Sequence, residues 1–157
     1  KDEFPSLQVI LGAAPQIDWA QWNFPDWIQV ESKYPQKALE CGDLAFVASG
    51  TSTVEATVFG TPMIVTYKMA ILSWWLSKIL VNVPFAGMVN ILAEKKIMPE
   101  LLQENATVEK LFSTALSILK NPDTLQKMKE DLNLIQNKLK GEGASIRAAI
   151  KILELVK

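Results

Sequence analysis

Leu44-Ala45-Phe46-Val47-Ala48-Ser49-Gly50-Thr51-Ser52-Thr53-Val54-Glu55 is the stretch on which the fold turns. Its first five residues are a near-continuous apolar run of strand length, as expected of a strand covered on both faces. Ser49-Gly50-Thr51-Ser52 then turns the chain into a helix predicted from about Thr53 to Phe59 and ended by Gly60. Pro62-Met63-Ile64-Val65-Thr66-Tyr67 reads as the next strand. Working outward, Gln8-Val9-Ile10-Leu11-Gly12-Ala13 is another buried strand stopped by Gly12 and Pro15. Ile28-Gln29-Val30-Glu31 is a short strand, and Tyr34 to Cys41 a helix with Pro35 in its first turn. Trp19, Trp22 and Trp27 are expected to pack a loop or short helix onto the core. Apolar runs without alternation, separated by helices, predict an α/β domain built on a doubly wound parallel sheet.

After Tyr67 the pattern changes. Ile71 to Val81 reads as a very apolar helix, and Asn90 to Gln103 as a short helix, a break at Pro99 and a further helical turn. Three helices close the chain, opened by Thr107, by Asn121-Pro122 and by Gly143-Ala144-Ser145, the last running from Ala144 to Lys157 with an apolar face. The expected organisation is one domain over residues 1–120 followed by C-terminal helices over 121–157. Met69 to Val89 has the length of a membrane span, but Lys78 at its middle would cost about 2.5 to 3.5 kcal/mol on insertion. Trp74 and Trp75 beside Lys68 and Lys78 leave two readings open: packing on the sheet or another domain, or contact with a membrane surface.

Composition narrows the chemistry. Sixteen basic against seventeen acidic residues give a formal charge of −1, so there is no global field of the kind that gathers nucleic acid. The chain has one cysteine, Cys41, which excludes an internal disulfide and a cysteine metal cluster and suits a reducing compartment. It has no histidine, which excludes Ser-His-Asp and Cys-His catalysis and imidazole metal ligands.

The chemistry concentrates at Ala48 to Glu55. In an open parallel sheet, ligands bind beyond the carboxyl ends of the strands. There the unpaired N–H groups and dipole of a helix N-terminus favour an anion, above all phosphate. Gly50 lets the backbone approach, and Ser49, Thr51 and Ser52 add hydroxyls. Glu55, one turn in, repels phosphate but suits a vicinal diol such as ribose, to which a carboxylate hydrogen bond contributes about 1.5–3 kcal/mol. A plain capping box, with Ser52 as N-cap and Glu55 three residues on, fits the same spacing.

Taken together, Ser49-Gly50-Thr51 with Glu55, Gly60-Thr61-Pro62-Met63, Tyr67-Lys68, Asn90-Ile91-Leu92-Ala93 and Pro99-Glu100-Leu101-Leu102-Gln103 resemble the C-terminal half of lipid-A-disaccharide synthase. The likeness covers about residues 5 to 155. The Ser-Gly and Glu pattern is shared by many enzymes of the two-domain GT-B fold; the Asn-Ile-Leu-Ala and Pro-Glu-Leu-Leu-Gln segments are far more specific.

The resemblance implies a Rossmann-like half of a GT-B fold, with a helical tail, in an inverting glycosyltransferase. That family joins UDP-2,3-diacylglucosamine to 2,3-diacylglucosamine 1-phosphate (lipid X), giving the β-1,6-linked disaccharide precursor of lipid A and UDP. By motif, Ser49, Gly50, Thr51 and Ser52 would line the diphosphate and Glu55 the ribose. Tyr67, Lys68, Asn90, Lys95 and Glu100 would complete a UDP-binding cleft. Asn90 as a helix N-cap, Glu100 as a solvated first-turn carboxylate and Lys68 as a surface lysine remain open beside those roles. No cofactor and no metal are expected. The implied partners are a UDP-sugar donor, a lipid monosaccharide acceptor, a second copy bound through the C-terminal elements, and the periphery of the inner membrane on its cytoplasmic side in a Gram-negative bacterium.

The pattern departs from the family in places. Glu94-Lys95 stands where the family usually has Gly-Arg, so Lys95 keeps the charge without the bidentate fork, and Glu94 replaces a residue that permits positive φ. The sequence is expected to be the C-terminal part of a longer protein. It is expected to lack the first strand of this half-domain, with its Gly-Ser-Arg loop, and the N-terminal acceptor domain that would carry the catalytic base. Two alternatives stand beside this reading: another GT-B enzyme handling UDP-N-acetylglucosamine (a peptidoglycan-precursor transferase or a UDP-sugar epimerase), and a non-catalytic module whose helices bind a partner.

Overall fold

The structure is a computed structural model that describes residues 3–70, 84–139 and 143–155. The helix expected over Ile71 to Val81, with Trp74 and Trp75, lies outside the described residues.

The core forms around β3 (Ala45–Ala48), β4 (Met63–Tyr67) and β5 (Glu100–Leu102), a parallel sheet in the order β3-β4-β5. Ala45 stands opposite Met63 and Ala48 opposite Thr66; Val65 stands opposite Glu100 and Tyr67 opposite Leu102. Met63, Ile64 and Val65 of the central strand are wholly buried, which is why that strand reads as an unbroken apolar run. With Val47, Ala56, Val89, Met98, Ile118, Met128 and Leu132 they form one cluster. α2 (Thr51–Phe59) packs on β3 and against α1 (Lys37–Glu40), α3 (Met88–Ala93) and α5 (Pro122–Leu139). Its buried face is threonine-rich, and the hydroxyls are satisfied locally. Thr53 Oγ1 donates to the Gly50 carbonyl and Thr57 Oγ1 to that of Thr53, both at 2.7 Å. Gly60 ends α2 with φ 74°, as the sequence predicts.

A second parallel sheet holds β1 (Val9–Gly12) and β2 (Ile28–Glu31), with Val9 opposite Ile28. The α/β architecture with parallel strands is therefore as expected, but the strands divide between two sheets instead of forming one continuous ladder. α1 packs on both β1 and α2, so a helix joins the two sheets where hydrogen bonds do not.

Two local expectations fail. Glu100–Leu102 is a strand, not a helical turn. Glu and Leu favour a helix on their own, but pairing with β4 on one edge outweighs that preference. Trp22 and Trp27 are about half exposed and do not pack into the core. Trp19 is tied by its indole N–H to the Ala14 carbonyl at 2.9 Å, and its ring gathers Trp22 and Phe24 into a surface aromatic cluster with centroids 6.2 Å away. The tail follows its caps. Thr107 accepts from the Lys110 N–H ahead of α4 (Val108–Leu119), and Asn121 from the Thr124 N–H at the start of α5. α6 (Ala144–Leu155) ends the described chain and exposes Ile146, Ile150 and Leu153.

Candidate functional site

The site begins where β3 runs out. The Ser49 N–H still pairs with the Thr66 carbonyl at 3.3 Å, so the ladder holds the loop up to its first residue. Gly50 then adopts φ 132°, ψ −148°, a region open in practice to glycine alone. A Cβ placed on Gly50 would meet no atom of the described residues within 4 Å. The loop therefore keeps its glycine for backbone conformation, not to avoid a described neighbour. α2 starts at Thr51, two residues earlier than the sequence suggests, with Gly50 as a cap that has no side chain to offer. Of its first-turn N–H groups, that of Thr53 donates to the Gly50 carbonyl at 3.2 Å, while those of Thr51 and Ser52 precede any intrahelical acceptor. Thr51 is exposed and Ser52 half-buried.

That start also removes the capping-box alternative. Ser52 lies inside the helix, no side chain caps it, and Glu55 has no cap to close. Glu55 is exposed, on the turn that follows the open N-terminus.

Behind the loop lies a polar network that spacing alone does not reveal. The Ser49 hydroxyl donates to the Ala86 carbonyl at 2.7 Å. The N–H groups of Ala86 and Gly87 in turn donate to the Glu100 carboxylate, at 3.0 Å to Oε2 and 2.8 Å to Oε1. Asn90 completes it, donating from Nδ2 to Glu100 Oε1 at 2.8 Å and to the Met98 carbonyl at 2.9 Å. Asn90 Oδ1 accepts from the Ile97 and Met98 N–H groups, both at 2.9 Å. Both amide donors and both acceptor positions of Asn90 are thus used, and its side chain is wholly buried. Glycine at 87 permits the close approach: a Cβ there would come within 3.1 Å of Glu100 Oε1 and of Val65 Cγ2.

The open alternatives for these two residues resolve against local capping. Gly87 is the N-cap of α3 and Asn90 its third residue, while Glu100 is a half-buried strand residue occupied by backbone donors, not a solvated first-turn carboxylate.

Tyr67 ends β4, adjacent to β3, Lys68 follows it, and both are exposed. The next residue, Met69, is gripped by Gln103: its N–H donates to Gln103 Oε1 at 2.9 Å and its carbonyl accepts from Gln103 Nε2 at 3.2 Å. Gln103 itself holds φ 49°, unusual for a residue with a side chain. The motif containing Gln103 is visible in the sequence, but nothing in residue type or spacing marks it as a clamp on a segment 34 positions away.

Lys95 is placed elsewhere. Its ammonium pairs with Asp131 of α5 at 3.1 Å, and it lines a cleft with Ala93, Ile97, Leu134, Ile135 and Lys138 to which no residue of the Ser49–Ser52 loop contributes. Glu94, where a residue permitting positive φ is expected, does hold φ 55° as the C-cap of α3.

Glu109 is held below the usual carboxylate range by its own backbone N–H and the Thr107 hydroxyl, and Glu3 by a hydrogen bond and ion pair with Lys120. Among the described residues, no group of three or more Cys, Asp and Glu side chains could hold a metal ion, and no helix is long and apolar enough to cross a membrane.

The chain is 41% identical to the lipid-A-disaccharide synthase of Syntrophus aciditrophicus over 120 residues, 76% of this chain and 31% of the relative. It is 43% identical to that of Solibacter usitatus over 120 residues, 76% of this chain and 32% of the relative. With the synthase of Cellvibrio japonicus it shares 35% identity over 162 aligned positions, 99% of this chain and 42% of the relative. The chain thus spans less than half the length of these relatives. A family model described as Lipid-A-disaccharide synthetase matches residues 23–153, and on that match the chain belongs to the lipid-A-disaccharide synthetase family.

Proposed function

We propose that this chain is the UDP-binding part of an inverting glycosyltransferase of lipid A biosynthesis. The reaction joins UDP-2,3-diacylglucosamine to 2,3-diacylglucosamine 1-phosphate, giving the lipid A disaccharide 1-phosphate and UDP. One observation carries the nucleotide-binding half of this reading. A glycine-only backbone turn, with no described atom near enough to meet a Cβ, stands at the N-terminus of a nine-residue helix, at the end of a parallel strand, with an exposed carboxylate one turn further on.

The N–H groups of Thr51 and Ser52, with the helix dipole, suit the diphosphate. Glu55 suits the ribose diol, and Lys68 and Tyr67 the rim of the same cleft. Ser49 takes a specific part. Its proton is committed to the Ala86 carbonyl, so it offers the cleft lone pairs and receives a ligand hydroxyl or N–H in preference to a phosphate oxygen.

In the reaction, the acceptor hydroxyl attacks the anomeric carbon while the bond from that carbon to the diphosphate breaks, and UDP leaves with the electron pair. Helix N–H groups and Lys68 stabilise the charge that grows on the diphosphate. The acceptor's proton goes to a base outside this chain, which accords with its lack of histidine. The exposed Ile146, Ile150 and Leu153 of α6 support a homodimer joined through the C-terminal elements. Peripheral contact with the cytoplasmic face of the inner membrane follows from the lipid acceptor. Titration of the chain with UDP and with UMP tests the reading: saturable binding, stronger for UDP, is expected, and no heat or shift at millimolar nucleotide would overturn it.

A further inference from the structure

Two side chains of one segment hold both flanks of the chain that runs between β4 and α3. Glu100 receives the N–H groups of Ala86 and Gly87, and Gln103 brackets Met69 with an acceptor and a donor. Each flank is one covalent or hydrogen-bonded step from the proposed cleft. Ala86 carries the carbonyl that receives the Ser49 hydroxyl, and Met69 follows Lys68 directly. Asn90 fixes Glu100 from behind and has no hydrogen-bonding capacity left for a ligand.

We infer that Glu100, Asn90 and Gln103 are positioning residues, which hold Ser49 on one side of the cleft and Lys68 on the other without touching the nucleotide. This rests on the proposed UDP site and assigns the second rank of residues behind it. The arrangement follows from hydrogen-bond inventory. A carboxylate is acceptor-only, so it can gather two backbone N–H groups and an amide. A carboxamide carries one acceptor and one donor group, so it can bridge both polar atoms of a single residue, as Gln103 does at Met69. Exchanging the two residue types would leave like groups facing each other at both ends.

A double-mutant cycle tests the inference. Glu100→Gln turns one acceptor toward Ala86 or Gly87 into a donor, and Ser49→Ala removes the tie to Ala86. Each single variant, measured well below its unfolding temperature, is expected to weaken UDP about tenfold. The double variant is expected to bind no more weakly than the weaker single, because both changes break one chain of contacts. Additive losses would mean that Glu100 acts independently of Ser49, and would overturn the inference. So would an intermolecular NOE between UDP and the Asn90 side-chain amide in the unaltered chain. Unchanged affinity in Glu100→Gln alongside a lowered Tm would reduce Glu100 to a structural role and also overturn it.

If the unaltered chain binds no UDP, the proposed function fails and the positioning claim is still decided by amide spectra. Glu100→Gln should then shift Ser49 and speed hydrogen exchange at Ala86 and Gly87 while leaving α4 and α5 unmoved. A Ser49 signal that stays in place refutes it. Should Glu100→Gln fail to fold, Gln103→Glu carries the same test: it keeps the acceptor for the Met69 N–H and loses the donor to its carbonyl. Expected are a weaker UDP complex and a shifted Lys68 amide, and an unmoved Lys68 with unchanged affinity refutes the inference.

Discussion

The side-chain amide of Asn90 donates to Glu100 Oε1 at 2.8 Å, and the Gly87 N–H converges on the same oxygen at the same distance. A buried amide that spends all its hydrogen bonds inside the protein is sensitive to the exchange of a single donor. Asn90→Asp keeps the shape but sets an oxygen against Glu100 and the Met98 carbonyl. It is expected to cost roughly 2–5 kcal/mol, from the desolvation of groups left unpaired. A lower urea midpoint with an unchanged slope would show this, and wild-type stability would contradict the network.

Gly50→Ala tests the backbone of the loop. The methyl group meets no atom of the described residues within 4 Å, so the loss expected there is the strain of φ 132°. About 1–3 kcal/mol of strain is expected, either as lowered stability or as a relaxed loop that binds UDP more weakly. A variant unaltered in both melting and binding would show that the loop does not need this conformation.

Glu55→Ala separates ligand binding from helix capping. Glu55 is exposed and closes no cap, so the melting temperature is expected to stay within a few degrees. UDP should weaken by about 1.5–3 kcal/mol, roughly tenfold or more. Calorimetry on the variant gives both readings. Intact affinity would remove Glu55 from the site.

Glu94→Gly is expected to stabilise the chain. Glu94 holds φ 55° at the end of α3, a conformation that costs a residue with a Cβ about 1–2 kcal/mol and glycine almost nothing. Glycine's greater freedom in the unfolded chain offsets part of this, leaving about 0.5–1 kcal/mol. Thermal unfolding reports the sign, and a drop in Tm would mean that the Glu94 side chain holds contacts worth more than the strain.

Glu109 gives a pH-dependent test of the α4 cap. Its own backbone N–H, then the Thr107 hydroxyl, hold its titration below the usual carboxylate value. A carboxylate so lowered favours the folded state above its unfolded pKa, and that contribution is lost as pH falls through the folded value. Thr107→Ala should move the Glu109 titration part of the way back up, since the backbone donor remains. Carboxyl carbon shifts followed against pH measure it, and an unmoved titration would mean that Thr107 takes no part.

Chain order and local chemistry made much of the architecture legible. The apolar runs at 44–48 and 62–67 are both strands, the second because Met63 to Val65 of the central strand are wholly buried. β3, at the edge of that sheet, instead buries Val47 and leaves Phe46 and Ala48 exposed, against the expectation of a strand covered on both faces. Gly60, Thr107 and Asn121 end or open helices as their residue types direct, since caps are satisfied within one turn of backbone. The Ser-Gly loop ahead of a helix, and Glu55 on the turn beyond it, were likewise readable as neighbours in sequence.

Long-range pairing decided the remainder. Glu100-Leu101-Leu102 has no strand signature of its own and becomes a strand because β4 offers an unpaired edge. Ser49 and Ala86 are 37 positions apart, and Gln103 and Met69 34 apart. Their contacts are invisible to any local pattern, because a hydrogen bond between such residues exists only once the sheet has brought them together. Whether Asn90 faces a ligand or the protein is settled in the same way: its type permits both, and burial against the Met98 and Ile97 backbone leaves it no partner outside.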